Sequence, residues 1–338
     1  MLRANLLALS SILVCLAASK AAFSARDNSV GGVLLIDNKG DQTLGIIDPE
    51  SGKQVATIAE GGVTGHEVIA SADGRFAYVP IYGDSGVGLP GSDGRNLVVI
   101  DIAARKVVGS VDFGHGVRPH CPMFGPKDGL LYVTTELDNA VSVIDPHTLK
   151  MVGTIPTGRS ESHMLAISHD GRYGYTTNVG SGTVSVLDMQ ARTTLDVIAV
   201  APVVQRISLS IDDRFAFTSD QTKPQLAVID TAARKVKAWI ALPGTGYGSA
   251  ATPDGHWLVI AIPKARKVGV IDLETMQLKS SIAVPAAPQE VLIRPDGAVA
   301  YVSCDASRKV AEIRTSDWTV TRLIDAGAGA DGLAWAQK

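Results

Sequence analysis

A strand-turn-strand unit recurs seven times along this chain, and it limits the possible folds more than any other feature. Its clearest copy is AVSVIDPHTLKMVGTI, Ala140 to Ile155. Apolar and small residues alternate up to Ile144, a turn follows at Asp145-Pro146-His147-Thr148, and apolar residues resume at Met151, Val152 and Ile155, the pattern of two short strands. Further copies begin at Thr43, Asn96, Thr183, Gln225, Lys267 and Lys309. Their turns carry Asp48, Asp101, Asp145, Asp188, Asp230 and Asp272, with Arg314 in the last, so successive units stand 53, 44, 43 and then three times 42 residues apart. A period in the low forties that carries four strands predicts the blades of a β-propeller. Aspartate at this place is expected to accept backbone N–H groups of its own turn, a structural role with no chemistry attached.

Between these units lie an innermost strand, a tight turn and a second strand. The innermost stretches are HEVIASADGR from His66, HCPMFGPKDG from His120, HMLAISHDGR from His163, RISLSIDDR from Arg206, GSAATPDGH from Gly248 and EVLIRPDGA from Glu290. Their DG and DD pairs mark turns into second strands such as Phe76 to Val79 and Tyr301 to Ser303. The first unit lacks an innermost strand, because Val33 to Asp37 already reads as a second one. Residues Asp331 to Ala336 are expected to supply it, closing the ring from both termini and removing the free sheet edges. The fold class is therefore all-β, a single seven-bladed β-propeller over residues 26–338.

The blades resemble the YVTN-repeat seven-bladed propellers. YTTN at Tyr175 to Asn178, YVTT at Tyr132 to Thr135 and TVSVLD at Thr183 to Asp188 carry the resemblance, together with the PDG turns. It spans essentially the whole chain after the N-terminus and implies the fold. Proteins with such blades include surface-layer components, lactonase relatives and heme- or copper-binding propellers, so the resemblance implies no single activity.

Residues 1–25 read as a secretory signal peptide to be cleaved: Arg3 stands before an apolar run from Leu6 to Ala18, which small residues follow. The run is too short for a transmembrane helix, so the mature chain is expected to be periplasmic or secreted with no transmembrane segment. The net charge is −3, and no basic stripe or cluster points to nucleic acid. Beyond Cys15, only Cys121 and Cys304 remain, too few for a disulfide framework. CxxCH, P-loop and dinucleotide-binding signatures are all missing from the sequence.

Function has to lie where the repeats differ. Counting seven residues back from the inner-turn aspartates Asp73, Asp170, Asp212, Asp254 and Asp296 places His66, His163, Gln205, Tyr247 and Gln289 at one level of the channel, and His120 joins them once an extra residue is allowed. The next level holds Glu67, Cys121, Met164, Arg206, Gly248, Glu290 and Asp331. Loops carrying Tyr82, Asp84, Glu136, Asp138, Asn178, Asp220, Cys304 and Asp305 are expected at the same face, with a Gly-rich insertion from Gly83 to Arg95 that reads as a lid or a plain surface excursion. The candidate ligand-binding set is His66, Glu67, His120, Cys121, His163, Arg206, Tyr247, Glu290 and Asp331.

Three readings of this mouth compete. Its histidines satisfy a wet polar channel; or His66, His120 and His163 hold a metal such as zinc, copper or iron; or a histidine is the general base of a lactonase-like hydrolase, or the mouth serves a redox enzyme. The leading expectation is a binding or scaffold protein for a metal, a small anionic ligand or an envelope protein.

Overall fold

The computed structural model describes residues 31–84 and 86–338; the expected signal peptide lies outside the described residues. Seven four-stranded antiparallel sheets form a ring of blades. Blade one is closed as the repeats require: Ala330–Gln337 is its innermost strand and pairs with Gly32–Asn38, which pairs with Thr43–Asp48 and then Lys53–Ala59. The innermost strands of blades two to seven are Ile69–Ala70, Pro119–Phe124, Ser162–Ile167, Ser208–Leu209, Ser249–Ala251 and Pro288–Ile293.

The repeated residues build repeated local structure. Each turn aspartate accepts backbone N–H groups of the turn that follows, as in Asp145 from His147 at 2.9 Å and Asp272 from Glu274 and Thr275 at 3.0 and 2.9 Å. The fourth strand then begins after a residue of positive φ, which is Gly52 in blade one but Arg105, Leu149, Arg192, Arg234, Met276 and Trp318 in the others. In all seven blades the pairing of third and fourth strands slips by one residue at the same place, between Val143 and Ile144 in blade three and between Val270 and Ile271 in blade six. Such a bulge adds local twist and tilts the outer strand of each blade.

Inner turns are equally regular. Ser71, Ser168, Ser210 and Thr252 each donate a hydroxyl hydrogen bond to the aspartate two residues on and accept the N–H five residues on. Gly74, in the first such turn, has φ +66°, and a Cβ there would lie 1.7 Å from the Gln337 carbonyl oxygen. Glycine at this point lets the last strand pass beneath blade two. Apolar side chains between adjacent blades form the core, among them Leu35, Val79, Ile100, Val143, Val186, Val228, Val270 and Ile313. Every innermost strand runs from the same face along the axis, so residues at equivalent positions face one another across the channel.

Candidate functional site

At the level predicted from the repeats, one cation crosses the axis. Arg206, on blade five, donates through Nη1 to Glu67 of blade two and to Glu290 of blade seven at 2.7 Å, and its Nη2 stands 3.4 Å from Asp331 of blade one. The guanidinium lies 4.6 Å over the Tyr247 ring and touches Met164 Sδ at 3.8 Å. It is 3% exposed. This cluster is a plug that divides the channel into a polar mouth and a chamber at the opposite end.

One guanidinium cannot keep three buried carboxylates ionised, and the neighbours decide which one holds a proton. Asp331 also meets Lys39 Nζ at 3.1 Å and His66 Nδ1 at 3.4 Å. Against the desolvation of burial, His66, Lys39 and Arg206 together hold it well below the usual carboxylate range. Glu67 has Arg206 alone. Burial, reinforced by the charges of Glu290 and Asp331, pushes it up to about 8 despite that partner. Burial raises Glu290 as well. Lys39 is anchored between Asp331 and Asp305, the latter at 2.8 Å, and these partners raise it despite burial.

On the mouth side of the plug, the three expected histidines meet. The rings of His120 and His163 stack at 3.7 Å with 33° between their planes, and His66 lies 5.5 Å from His120. Tyr82 sets its edge against all three and donates its hydroxyl to Glu136 at 2.6 Å. Glu136 Oε2 also faces His163 Nδ1 at 3.5 Å, the limit of a hydrogen bond. Burial holds His120 far below the ordinary imidazole range, helped by the neighbouring His163 and His66, and burial likewise lowers His163. Both imidazoles are therefore neutral, as their stacking requires. His66 is the accessible member, with 23% of its side chain exposed.

The histidines come together with the rings of His120 and His163 stacked. Imidazole lone pairs lie in the ring plane, so stacked rings aim them side by side and not at one point. Among the described residues, no group of three or more His, Cys, Asp or Glu side chains is placed to hold a metal ion. Cys121 reinforces this: its thiol faces the Leu165 carbonyl, and burial pushes it up to about 12. The cations of the plug are both in use: Arg206 and Lys39 are each engaged by more than one carboxylate.

Of the loop residues, Tyr82, Glu136 and Asp305 join the site. Asp84 instead accepts from Ser92 within the insertion, Asp138 meets His115 at 2.8 Å, Asn178 bonds Ser162 and Ser185, and Asp220 binds Thr222 and Gln225. Four participants escaped the register argument. Lys39 lies in the loop between second and third strands of blade one, and the same counting applied to that incomplete blade would have found it. Asp37 and Glu60 form an acidic pair buried beside Gly65; burial and their mutual charge raise Asp37, and burial brings Glu60 to about 7. Arg118, two residues before His120, folds the insertion over the mouth by donating to Asp93 at 2.6 Å and to the Leu89 carbonyl at 2.7 Å.

The comparisons agree with this architecture. The family model described as "Lactonase, 7-bladed beta-propeller" matches residues 66–238, which contain His66, His120, His163 and Arg206. The solved hydrazine synthase of Kuenenia stuttgartiensis resembles the chain with a TM-score of 0.74 at 21% identity, covering 85% of this chain and 93% of that one. At that identity the likeness shows the fold alone. None of the curated proteins compared with the chain matches it. With the matched span covering more than half of the sequence, this chain belongs to the lactonase seven-bladed β-propeller family.

Proposed function

We propose that the protein is an exported binding protein of YVTN-type repeats that takes a small, uncharged, oxygen-rich molecule at the histidine mouth. One observation carries this reading: Nδ1 of His120 is buried at the mouth without a partner, and so are Oε1 of Glu60 and both carboxyl oxygens of Asp37, a pair packed against Gly65, the residue before His66. Buried polar groups are rarely left unpaired, so they mark a place where water or a ligand completes the network. Neutral imidazoles and protonated carboxyls suit a ligand rich in hydroxyl and carbonyl groups and without net charge.

Lactone hydrolysis is the second reading, favoured by the family and by one dyad. His66 is the exposed histidine, and its Nδ1 faces an Asp331 held ionised. That arrangement orients Nε2 as a base toward the mouth. His66 would take a proton from water as its oxygen bonds to the lactone carbonyl carbon. The ring C–O bond would then break, and the proton would pass to the departing ring oxygen, leaving a hydroxy acid.

Calorimetric titration with glucono-δ-lactone and a 1,5-anhydrohexitol, beside pH-stat assay of the lactone, separates these readings. Binding of both sugars without acid release supports the binding protein. Acid release that saturates with lactone and disappears in His66→Gln supports the hydrolase. Neither binding nor turnover overturns both.

A further inference from the structure

Beyond the Arg206 plug, at the end of the channel opposite the histidines, lies a chamber of about 500 Å³. Its wall comes from the far halves of the innermost strands, including Ile69, Met123, Ile167, Leu209, Ile293 and Leu333. Volume and lining fall within the range of small-molecule sites. The closed end is different in kind: Glu67 and Glu290 line it, whereas Arg206 and Asp331 do not. The plug therefore shows this chamber its acidic side.

Both glutamates are only half used by Arg206. It takes Oε1 of Glu67 and Oε2 of Glu290, and Oε2 of Glu67 has no hydrogen-bonding partner among the described residues. Glu67 is 6% exposed and lines the chamber, so this is a carboxyl oxygen with spare capacity at the head of an apolar space. The other polar groups of the wall are already engaged or inert. Ser208 and Ser249 bond each other at 2.7 Å, the Cys121 thiol faces a carbonyl, and His169, at the outer rim, is tied to Asp213 at 2.7 Å.

We propose that this chamber binds an amphiphilic amine, its ammonium head against Glu67 and Glu290 and its hydrocarbon body along the apolar wall. An ammonium supplies three donors to oxygens that lack them, and it adds a cation beside Glu67 and Glu290, which Arg206 serves and Lys39 does not reach. A carboxylate head would instead meet like charge, and an alcohol would leave the acidic end uncompensated. Because burial keeps Glu67 protonated, an arriving ammonium displaces that proton to solvent, and binding releases close to one proton.

The test is calorimetry of the whole protein at pH 7 with octylamine, 1-octanol and octanoate, each in two buffers of different ionisation enthalpy. Octylamine is expected to bind about tenfold or more tighter than octanol, with octanoate weakest and proton release confined to the amine. Glu67→Gln should abolish the proton release, and Glu290→Gln, as a second variant, should weaken the amine while sparing the alcohol. Ala251→Phe, which fills the chamber, should remove all binding. Equal affinities for amine and alcohol, tighter octanoate, undiminished binding in Ala251→Phe, or no binding of octylamine would each overturn the proposal.

Discussion

The same side chain, a carboxylate, serves opposite ends in two regions of this propeller. In the turns of the outer strands it is solvated and bonded to its own loop, and Asp48, Asp145 and Asp272 lie below the ordinary carboxylate range because nearby backbone and side-chain donors favour the charge. In the channel, Asp37, Glu60 and Glu67 are buried among other acids, and all three are raised. Turn carboxylates are satisfied one blade at a time. Channel carboxylates depend on residues from blades far apart in sequence, so the outer turns behave as independent parts and the channel as one network.

Arg206 gives the sharpest way to break this contrast. Its replacement by Met leaves Glu67, Glu290 and Asp331 buried without their shared cation, which is expected to cost about 3–5 kcal/mol in urea unfolding. Adding Glu67→Gln and Glu290→Gln to the Arg206→Met chain should recover most of that loss. If the triple variant is no more stable than Arg206→Met alone, the plug is not an electrostatic unit.

A smaller effect follows from pH. Glu67 holds its proton to about pH 8 when folded, against an ordinary value of 4.5. Its contribution to stability is fully present below about pH 4.5 and is lost as pH rises through about 8. Glu60, raised to about 7, acts in the same direction. His120 works the other way. With its folded value depressed below 6.5, its contribution is present above that value and is lost as pH falls. Melting temperature should therefore peak at mildly acidic pH. Glu67→Gln should lift only the alkaline flank and His120→Asn only the acidic one; a Glu67→Gln profile parallel to wild type throughout would show that Glu67 is ionised in the fold.

Much of this molecule was legible because repetition turns distance along the chain into position in space. Counting back from Asp73, Asp170 and Asp212 placed Glu67, His163 and Arg206 at their channel levels, and nothing more than period was needed to assign the closing strand to Asp331 to Ala336, within the observed Ala330–Gln337. The register was silent about direction. It put three histidines on one level but did not show that His120 and His163 stack face to face, since that depends on side-chain torsions. Nor did it show Arg206 reaching across the axis, because two residues 139 positions apart share no local pattern. Lys39 and Asp37 were hidden by the one blade whose innermost strand comes from the other end of the chain. The apolar chamber went unread because Ile69, Leu209 and Ile293 look like ordinary strand residues until seven blades converge.

The smallest expected effect is also the cleanest test of independence. Ser168 and Ser210 occupy equivalent inner turns of blades four and five, each donating to an aspartate, at 2.6 and 2.7 Å, and each accepting one N–H, at 2.9 and 3.0 Å. Both are nearly buried, at 2% and 5% exposure. Replacing either with alanine removes the hydroxyl that joins turn to second strand and should cost about 1 kcal/mol. The two hydroxyls share no partner, and the bonds from His169 of the first turn to Asp213 of the second involve neither of them, so the double variant should lose the sum of the two within about 0.5 kcal/mol. In the channel the corresponding cycle, Arg206→Met with Glu67→Gln, should fall far from additive, because each change alters what the other leaves behind. Strong coupling between the two serines would mean that the turns communicate through the sheet, and the division between independent turns and a cooperative channel would fail at the place where it is easiest to measure.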